Sequence, residues 1–270
     1  MLESRSFSEE EAGAERFEGA PDASELLESG ISAEAWVLCR ASEAVGMYWS
    51  ALTTASMEGG NGPKVVASHD ALPAGPGVAD LAFFASVPRG VVAAPADAES
   101  AAAAVEAAAR HVGPAYVRVP RGPVPPTSNG TFGFARAPQL RDGSDLTIIG
   151  VGPCLGEVRA LAERLHAVGI EARVLDGASV KPLDASTIVR AARETGALLT
   201  VEEHHALTGL GAMVAALVAS TYPVPIRRVG YPDLPATPLQ AVPGPAGFGV
   251  SSGRLDEEAW ELLRARGKVQ

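Results

Sequence analysis

From about residue 30 onward, short unbroken apolar runs alternate with longer stretches in which apolar positions recur every three or four residues. The first pattern predicts buried strands and the second predicts helices packed by one face. Residues 64–68 (KVVAS), 90–95 (GVVAAP) and 115–120 (AYVRVP) read as strands. Residues 33–57 read as one long, mostly buried helix, 78–87 as a short one, and 98–111 as an alanine-rich one. Alanine is the best helix former and aspartate a favoured N-cap, so Asp97 marks the start of that third helix. The second half is more regular. Strands are expected at 146–152, 171–176, 197–203 and 225–231, with helices at 156–169, 184–196 and 210–221. Gly169 and Gly196 end two of these helices. Residues 122–145 are rich in Pro, Gly, Ser and Asn and read as a linker with one short strand, FGFA at 132–135. Strands alternating with helices predict parallel sheets covered on both faces, and right-handed crossovers wind them doubly. The expectation is an α/β protein of two domains.

Composition narrows the class. The chain has 270 residues, 47% of them apolar and 20% charged, the balance of a globular protein large enough to bury a core without staples. Two cysteines, Cys39 and Cys154, exclude a disulfide framework and a four-cysteine zinc site. The longest apolar runs fall far short of the roughly 20 residues that cross a bilayer. The acidic start lacks an apolar secretion core, so cytoplasmic residence is expected. Net charge is −10, and residues 1–30 carry nine acidic side chains against two arginines. That front reads as a solvated, partly disordered segment. No basic stripe is present to displace phosphate counterions, so nucleic acid is not an expected partner.

Several residues could carry chemistry. GVGPCLG (150–156) lies between a strand and a helix, where backbone N–H groups can cradle phosphate, and Asp176 ends the next strand as a ribose-binding acid would. Its glycine spacing differs from the dinucleotide fingerprint, and any doubly wound domain needs small residues at this turn. Cys154 stands at that helix start but reads as packing, as does Cys39. Glu202-Glu203-His204-His205 places two carboxylates beside two imidazoles. Neighbours on a strand face opposite ways, so at most one of each pair can share a site, and no metal centre is expected. His69 and Asp70 follow strand 64–68, at the end where parallel sheets bind ligands. Arg118 and Arg121 bracket the end of strand 115–120, and Arg121 lies in the turn, able to reach phosphate or carboxylate. The GxxxxGK[ST] motif is missing from the sequence.

These segments resemble the C-terminal half of transketolases and related thiamine-diphosphate enzymes. SDLTIIGVGPCLGEVRALAERL, GIEARVLDGASVKPLD and ETGALLTVEEHHALTGLGAMVAALVAS carry the likeness over residues 144–233, with VKPLD and TVEEH…GLG the most specific parts. Upstream, VVASHDALPAGPG, DLAFFASVPRGVVAAPADAESAAAAVEAA and GPAYVRVPRGPVP are similar to the later part of the pyrimidine-binding domain, and RASEAVGMYWSAL to the helix before it. After the acidic, partly disordered segment at 1–34, the resemblance implies a shortened pyrimidine-type domain at 35–122, a linker at 123–143 and a C-terminal domain at 144–270. It implies ketol transfer between phosphorylated sugars, on thiamine diphosphate and Mg2+ held largely by a partner chain, the N-terminal-half subunit, in a homo- or hetero-oligomer. His69 corresponds to a histidine that faces the sugar, Arg121 in VPRG to the arginine that binds its phosphate, and Asp70 accompanies His69.

The sequence departs from the family in three places. The GDG…N motif that holds the diphosphate through magnesium is missing. The acidic front replaces the strand, the activating glutamate and the aromatic clamp, with Glu34 in GISAEAW as the candidate remnant of that glutamate. The family's GEDGPTHQ-like loop has shrunk to ALPAGPG at 71–77. A non-catalytic or regulatory partner, and a 2-oxo acid dehydrogenase-type beta subunit, are therefore alternative expectations, with a NAD-binding protein behind them.

Overall fold

The computed structural model describes residues 36–41, 44, 62–69, 78–122, 124–233 and 245–269. Among these residues the strands form two five-stranded sheets, each with four parallel strands and one short antiparallel strand at an edge. Sheet 1 contains β1 (Trp36–Arg40), β2 (Lys64–Ser68), β3 (Val91–Ala93), β4 (Ala115–Val119) and β8 (Ser179–Lys181), in the order β1-β2-β4-β3-β8. Sheet 2 contains β5 (Gln139–Arg141), β6 (Leu146–Gly150), β7 (Ala172–Asp176), β9 (Leu198–His205) and β10 (Ile226–Tyr231), in the order β10-β9-β6-β7-β5. The α/β class is as expected. The helices are α1 (Asp80–Ala85), α2 (Ala98–Arg110), α3 (Cys154–His166), α4 (Ala185–Thr195), α5 (Leu210–Thr221) and α6 (Ser252–Ala265). None is long and apolar enough to cross a membrane.

Local chemistry explains the boundaries. The Asp97 carboxylate accepts from Ser100 N and the Ser100 hydroxyl accepts from Asp97 N, a reciprocal cap that starts α2. Gly196 ends α4 in the left-handed region, at φ 70°. Two expectations fail. Within the helix expected at 33–57, Trp36–Arg40 form β1 instead, parallel to β2 from Trp36↔Lys64 to Arg40↔Ser68; Ala41 and Ala44 beyond it are helical and buried, and the remainder of that expected helix lies outside the described residues. A short apolar run has no period to separate a buried strand from a buried helix. The FGFA segment is no strand: its two rings pack edge to face at 5.0 Å, and Ala135 turns the chain at φ 60°. The strand of that region is β5, antiparallel to β7. Helix α6, which the pattern reading did not include, is capped by Ser251 and buries Leu255, Ala259, Leu262 and Leu263 toward β9, β10 and α3.

The two sheets meet at the carboxyl ends of their strands. Gly152 N, past the end of β6, donates to Ala94 O past the end of β3 at 3.1 Å, and Ala94 N donates to Ala178 O at 2.8 Å. One apolar cluster spans the junction, joining Val65, Ala67, Leu81 and Phe84 of the first half to Ile149, Leu175, Leu198 and Val214 of the second. The VKPLD segment acts as a clamp. Val180 enters that cluster, Lys181 Nζ donates to Val87 O, and the Asp184 carboxylate caps α4 through Thr187 N at 3.0 Å while accepting from Ala137 N at 3.1 Å.

Candidate active site

His69 follows β2, and its backbone N–H donates to Val119 O at 2.9 Å, which extends the β2–β4 ladder by one step. The imidazole is buried, with Nε2 3.7 Å from Glu203 Oε2 and 3.4 Å from Glu203 O of β9. Arg118, beside Ala67 in the register of β4, is 2% exposed. Its Nη1 donates to Asp80 Oδ1 at 3.0 Å and to Glu203 O at 3.2 Å. Asp80, in the first turn of α1, also accepts from the Tyr116 hydroxyl at 2.6 Å. His204 Nε2 lies 3.8 Å from Asp80 Oδ1 and accepts from Ala82 N at 3.4 Å. Asp80 of α1 and Tyr116 and Arg118 of sheet 1 thus meet Glu203 and His204 from sheet 2, with His69 at the rim.

Glu202 takes the other direction. Its carboxylate accepts from Leu210 N at 2.7 Å and Gly211 N at 2.9 Å, capping α5. A methyl group at Gly209 would fall on that carboxylate and one at Gly211 on the Thr200 hydroxyl, so the GLG spacing makes room for the glutamate. The divergence comes from a bulge. Val229 pairs with Val201 and Tyr231 with His205, so residues 202–204 of β9 oppose Gly230 alone. The bulge breaks the alternation, so the adjacent Glu203 and His204 share one cluster while Glu202 and His205 point elsewhere.

Electrostatics follow from burial. Desolvation pushes Glu202 and Glu203 up to about 7, against the pull of backbone donors on the first and of Arg118 on both. It drives His204 down to about 4, in keeping with an Nε2 that accepts from Ala82 N. Cys154 is fully buried and its thiol is held well above the ordinary range, so it is an inert packing group.

Of the residues singled out from the sequence, His69 and Arg121 stand at the carboxyl edge of sheet 1, His69 buried and Arg121 exposed in the turn after β4. Glu34 and Asp70 lie outside the described residues. The GVGPCLG turn does not hold a phosphate loop, because Gly152 N is bonded to Ala94 O. Asp80 and Tyr116 escaped the sequence reading, which noted Glu203 only as one of two adjacent acids in Glu202-Glu203-His204-His205 and did not join it to His69. One signal was present: Tyr116 and Arg118, two polar-tipped residues at alternate positions, share one face of an otherwise apolar strand.

The donor set at this edge is imidazole, guanidinium and one buried carboxylate facing His69. Among the described residues no group of three or more His, Cys, Asp or Glu side chains could hold a metal ion. Magnesium diphosphate needs oxygen ligands, and these residues do not fit it.

The family model "Transketolase, C-terminal domain" matches residues 135–250. Among curated proteins, one of the subunits of the apulose-4-phosphate transketolase of Phocaeicola vulgatus is 40% identical over 157 residues, which span 57% of this chain and 50% of that protein. The 6-deoxy-6-sulfo-D-fructose transketolase subunit of a Clostridium species is 36% identical over 156 residues, 57% of this chain and 48% of that protein. The chain thus spans about half the length of these two relatives. Among solved structures, a split-gene transketolase described as an inactive beta4 tetramer superposes with a TM-score of 0.77 at 31% identity, covering 85% of this chain and 75% of that one.

Proposed function

Because this chain belongs to the transketolase family, we propose that it is the C-terminal subunit of a split transketolase-like enzyme of the cytoplasm. In this reading it moves a two-carbon ketol unit between phosphorylated sugars once an N-terminal-half partner joins it. Its shortened pyrimidine-type domain occupies 35–122 and its C-terminal domain 144–270, with β8 tying the second to the sheet of the first. The observation that carries the reading is the meeting of the two sheets at their carboxyl ends, which leaves His69 and Arg121 on the rim where a sugar phosphate would lie. The names of the half-length relatives, both transketolase subunits, support it. So does the solved neighbour, a split-gene transketolase described as an inactive beta4 tetramer.

Thiamine diphosphate supplies the electron sink for ketol chemistry in this family, and the partner would hold it together with magnesium. This chain's residues orient the sugar. Arg121 binds the phosphate, His69 hydrogen-bonds the reacting end, and Asp70 and Glu34 stand as the adjoining substrate-binding and activating acids. A second reading, a non-catalytic partner, is favoured by one observation, the contraction of the loop after Asp70 to ALPAGPG. The experiment is affinity purification of the tagged chain from its native lysate, followed by a ketol-transfer assay of the complex with thiamine diphosphate and Mg2+. The catalytic reading expects a stoichiometric partner bearing a GDG…N motif, and sugar products two carbons longer and shorter. A complex that forms but transfers no ketol unit turns the reading to the non-catalytic one.

A further inference from the structure

The carboxylate nearest to the His69 ring among the described residues comes from the other sheet. Nε2 faces Glu203 Oε2 at 3.7 Å and Glu203 O at 3.4 Å, both of them acceptors when the acid is ionised. A ring nitrogen that faces acceptors carries the hydrogen, so the neutral imidazole is the Nε2–H tautomer and Nδ1 is its basic nitrogen. The backbone of Glu203 is pinned. Its carbonyl also accepts from Arg118 Nη1, and the bulge of β9 turns its side chain toward sheet 1. Both side chains are buried, 6% and 2% exposed, so water screens the pair little. Glu203 Oε2 makes no hydrogen bond among the described residues, which leaves that oxygen to the imidazole.

We propose that Glu203 is a positioning residue for His69. From the second domain it fixes the orientation and tautomer of the imidazole that the first domain presents to substrate, and it favours the charged ring. The use of this pair in catalysis rests on the ketol-transfer reading; the pairing does not. Among the described residues, the other ionisable groups packed around it are Arg118 from β4 with its partner Asp80 from α1, His204 next along β9, and the Cys154 thiol of α3. Burial holds Glu203 up to about 7 against the pull of Arg118.

The test is an NMR titration of the intact chain with 15N-labelled histidines, the His69 signals being assigned with His69→Asn. The wild type is expected to show the Nε2–H tautomer. Glu203→Gln is expected to lower the pH at which His69 charges by about one unit, the size expected when an opposite charge is removed at this range. Glu203→Asp, tested beside it, restores part of that shift and serves in its place if the glutamine variant does not fold. A His69 midpoint that is the same in the wild type and the folded variants, or an Nδ1–H tautomer in the wild type, overturns the proposal. This readout needs neither partner nor turnover, so it separates failure of the pairing from failure of the ketol-transfer reading. In the assembled enzyme, Glu203→Gln should move the pH profile of kcat and leave KM for the phosphorylated sugar within about twofold. An unmoved profile removes the catalytic use of the pair.

Discussion

Arg118 and Asp80 are taken out of water together, and the pair holds because each finds further hydrogen bonds, Arg118 to Glu203 O and Asp80 to Tyr116. Removing one partner strands the other charge. Arg118→Ala is therefore expected to destabilise the chain by about 3–5 kcal/mol, read from the urea midpoint at constant m. Arg121 is the opposite case, an exposed guanidinium in a turn. Its replacement by alanine should leave the midpoint nearly unmoved and raise KM for the phosphorylated sugar in the assembled enzyme. A charge-assisted contact of about 1.5–3 kcal/mol corresponds to roughly a 10- to 150-fold rise in KM. An unchanged KM would remove Arg121 from phosphate binding. At this scale the sequence revealed local features well. Asp97, Gly169 and Gly196 act on residues a few positions away, and all three end or start helices as expected. His69 and Glu203 are 134 positions apart, and no local rule joins them.

Helix α2 shows how much one cap can hold. Besides Ser100 N, the Asp97 carboxylate accepts from Thr127 N at 2.9 Å and Ser128 N at 2.8 Å, and so anchors the linker to the start of the helix. Burial pushes its pKa upward, but the donors from Ser100, Ser128 and Thr127 outweigh it and hold the group at about 2. Asp97→Ala should accordingly cost about 2–4 kcal/mol, a cap plus two buried donors left unmet. Ser251→Ala at α6 removes only one cap bond, and about 1 kcal/mol is expected. Equal urea midpoints for the two variants would show that the linker is not anchored at Asp97. Elements with a clear period or a terminating glycine were readable from sequence. The short edge strands β5 and β8 were not, because three residues carry no period and their places depend on β7 and β3, which they join by pairing.

The junction between the sheets collects acids in apolar surroundings. Burial holds Asp176 up to about 6, and Glu202 and Glu203 up to about 7, from ordinary values of 3.8 and 4.5. Each binds its proton more tightly folded than unfolded, so the stability it contributes is complete below the unfolded value and is lost as pH rises through the folded one. His204 works the other way: burial takes it from 6.5 to about 4, so its contribution is present above 6.5 and is lost on acidification. From about pH 6.5 to 8 the carboxyls outweigh the opposing titration of Lys64, which burial lowers to about 8, and stability should fall by an amount on the order of 1 kcal/mol. Melting temperatures measured across that range check this, and Glu202→Gln should make the decline shallower. A melting temperature that rises from pH 6.5 to 8 would show that these carboxyls are ionised in the fold.

By itself, the sequence determined the α/β class, most helix starts and stops, the family, and His69 and Arg121 as candidate residues. All of these depend on period, on capping within a few residues, or on motifs that stay together along the chain. Only the tertiary structure decided that Trp36–Arg40 is a strand, that VKPLD clamps the second half to the first sheet, and that Glu203 faces His69. The physical reason is the same in each case. An apolar run takes its conformation from the surface it is buried against, and a side chain on a bulged strand takes its direction from the partner strand. Neither surface nor partner is present in the local sequence.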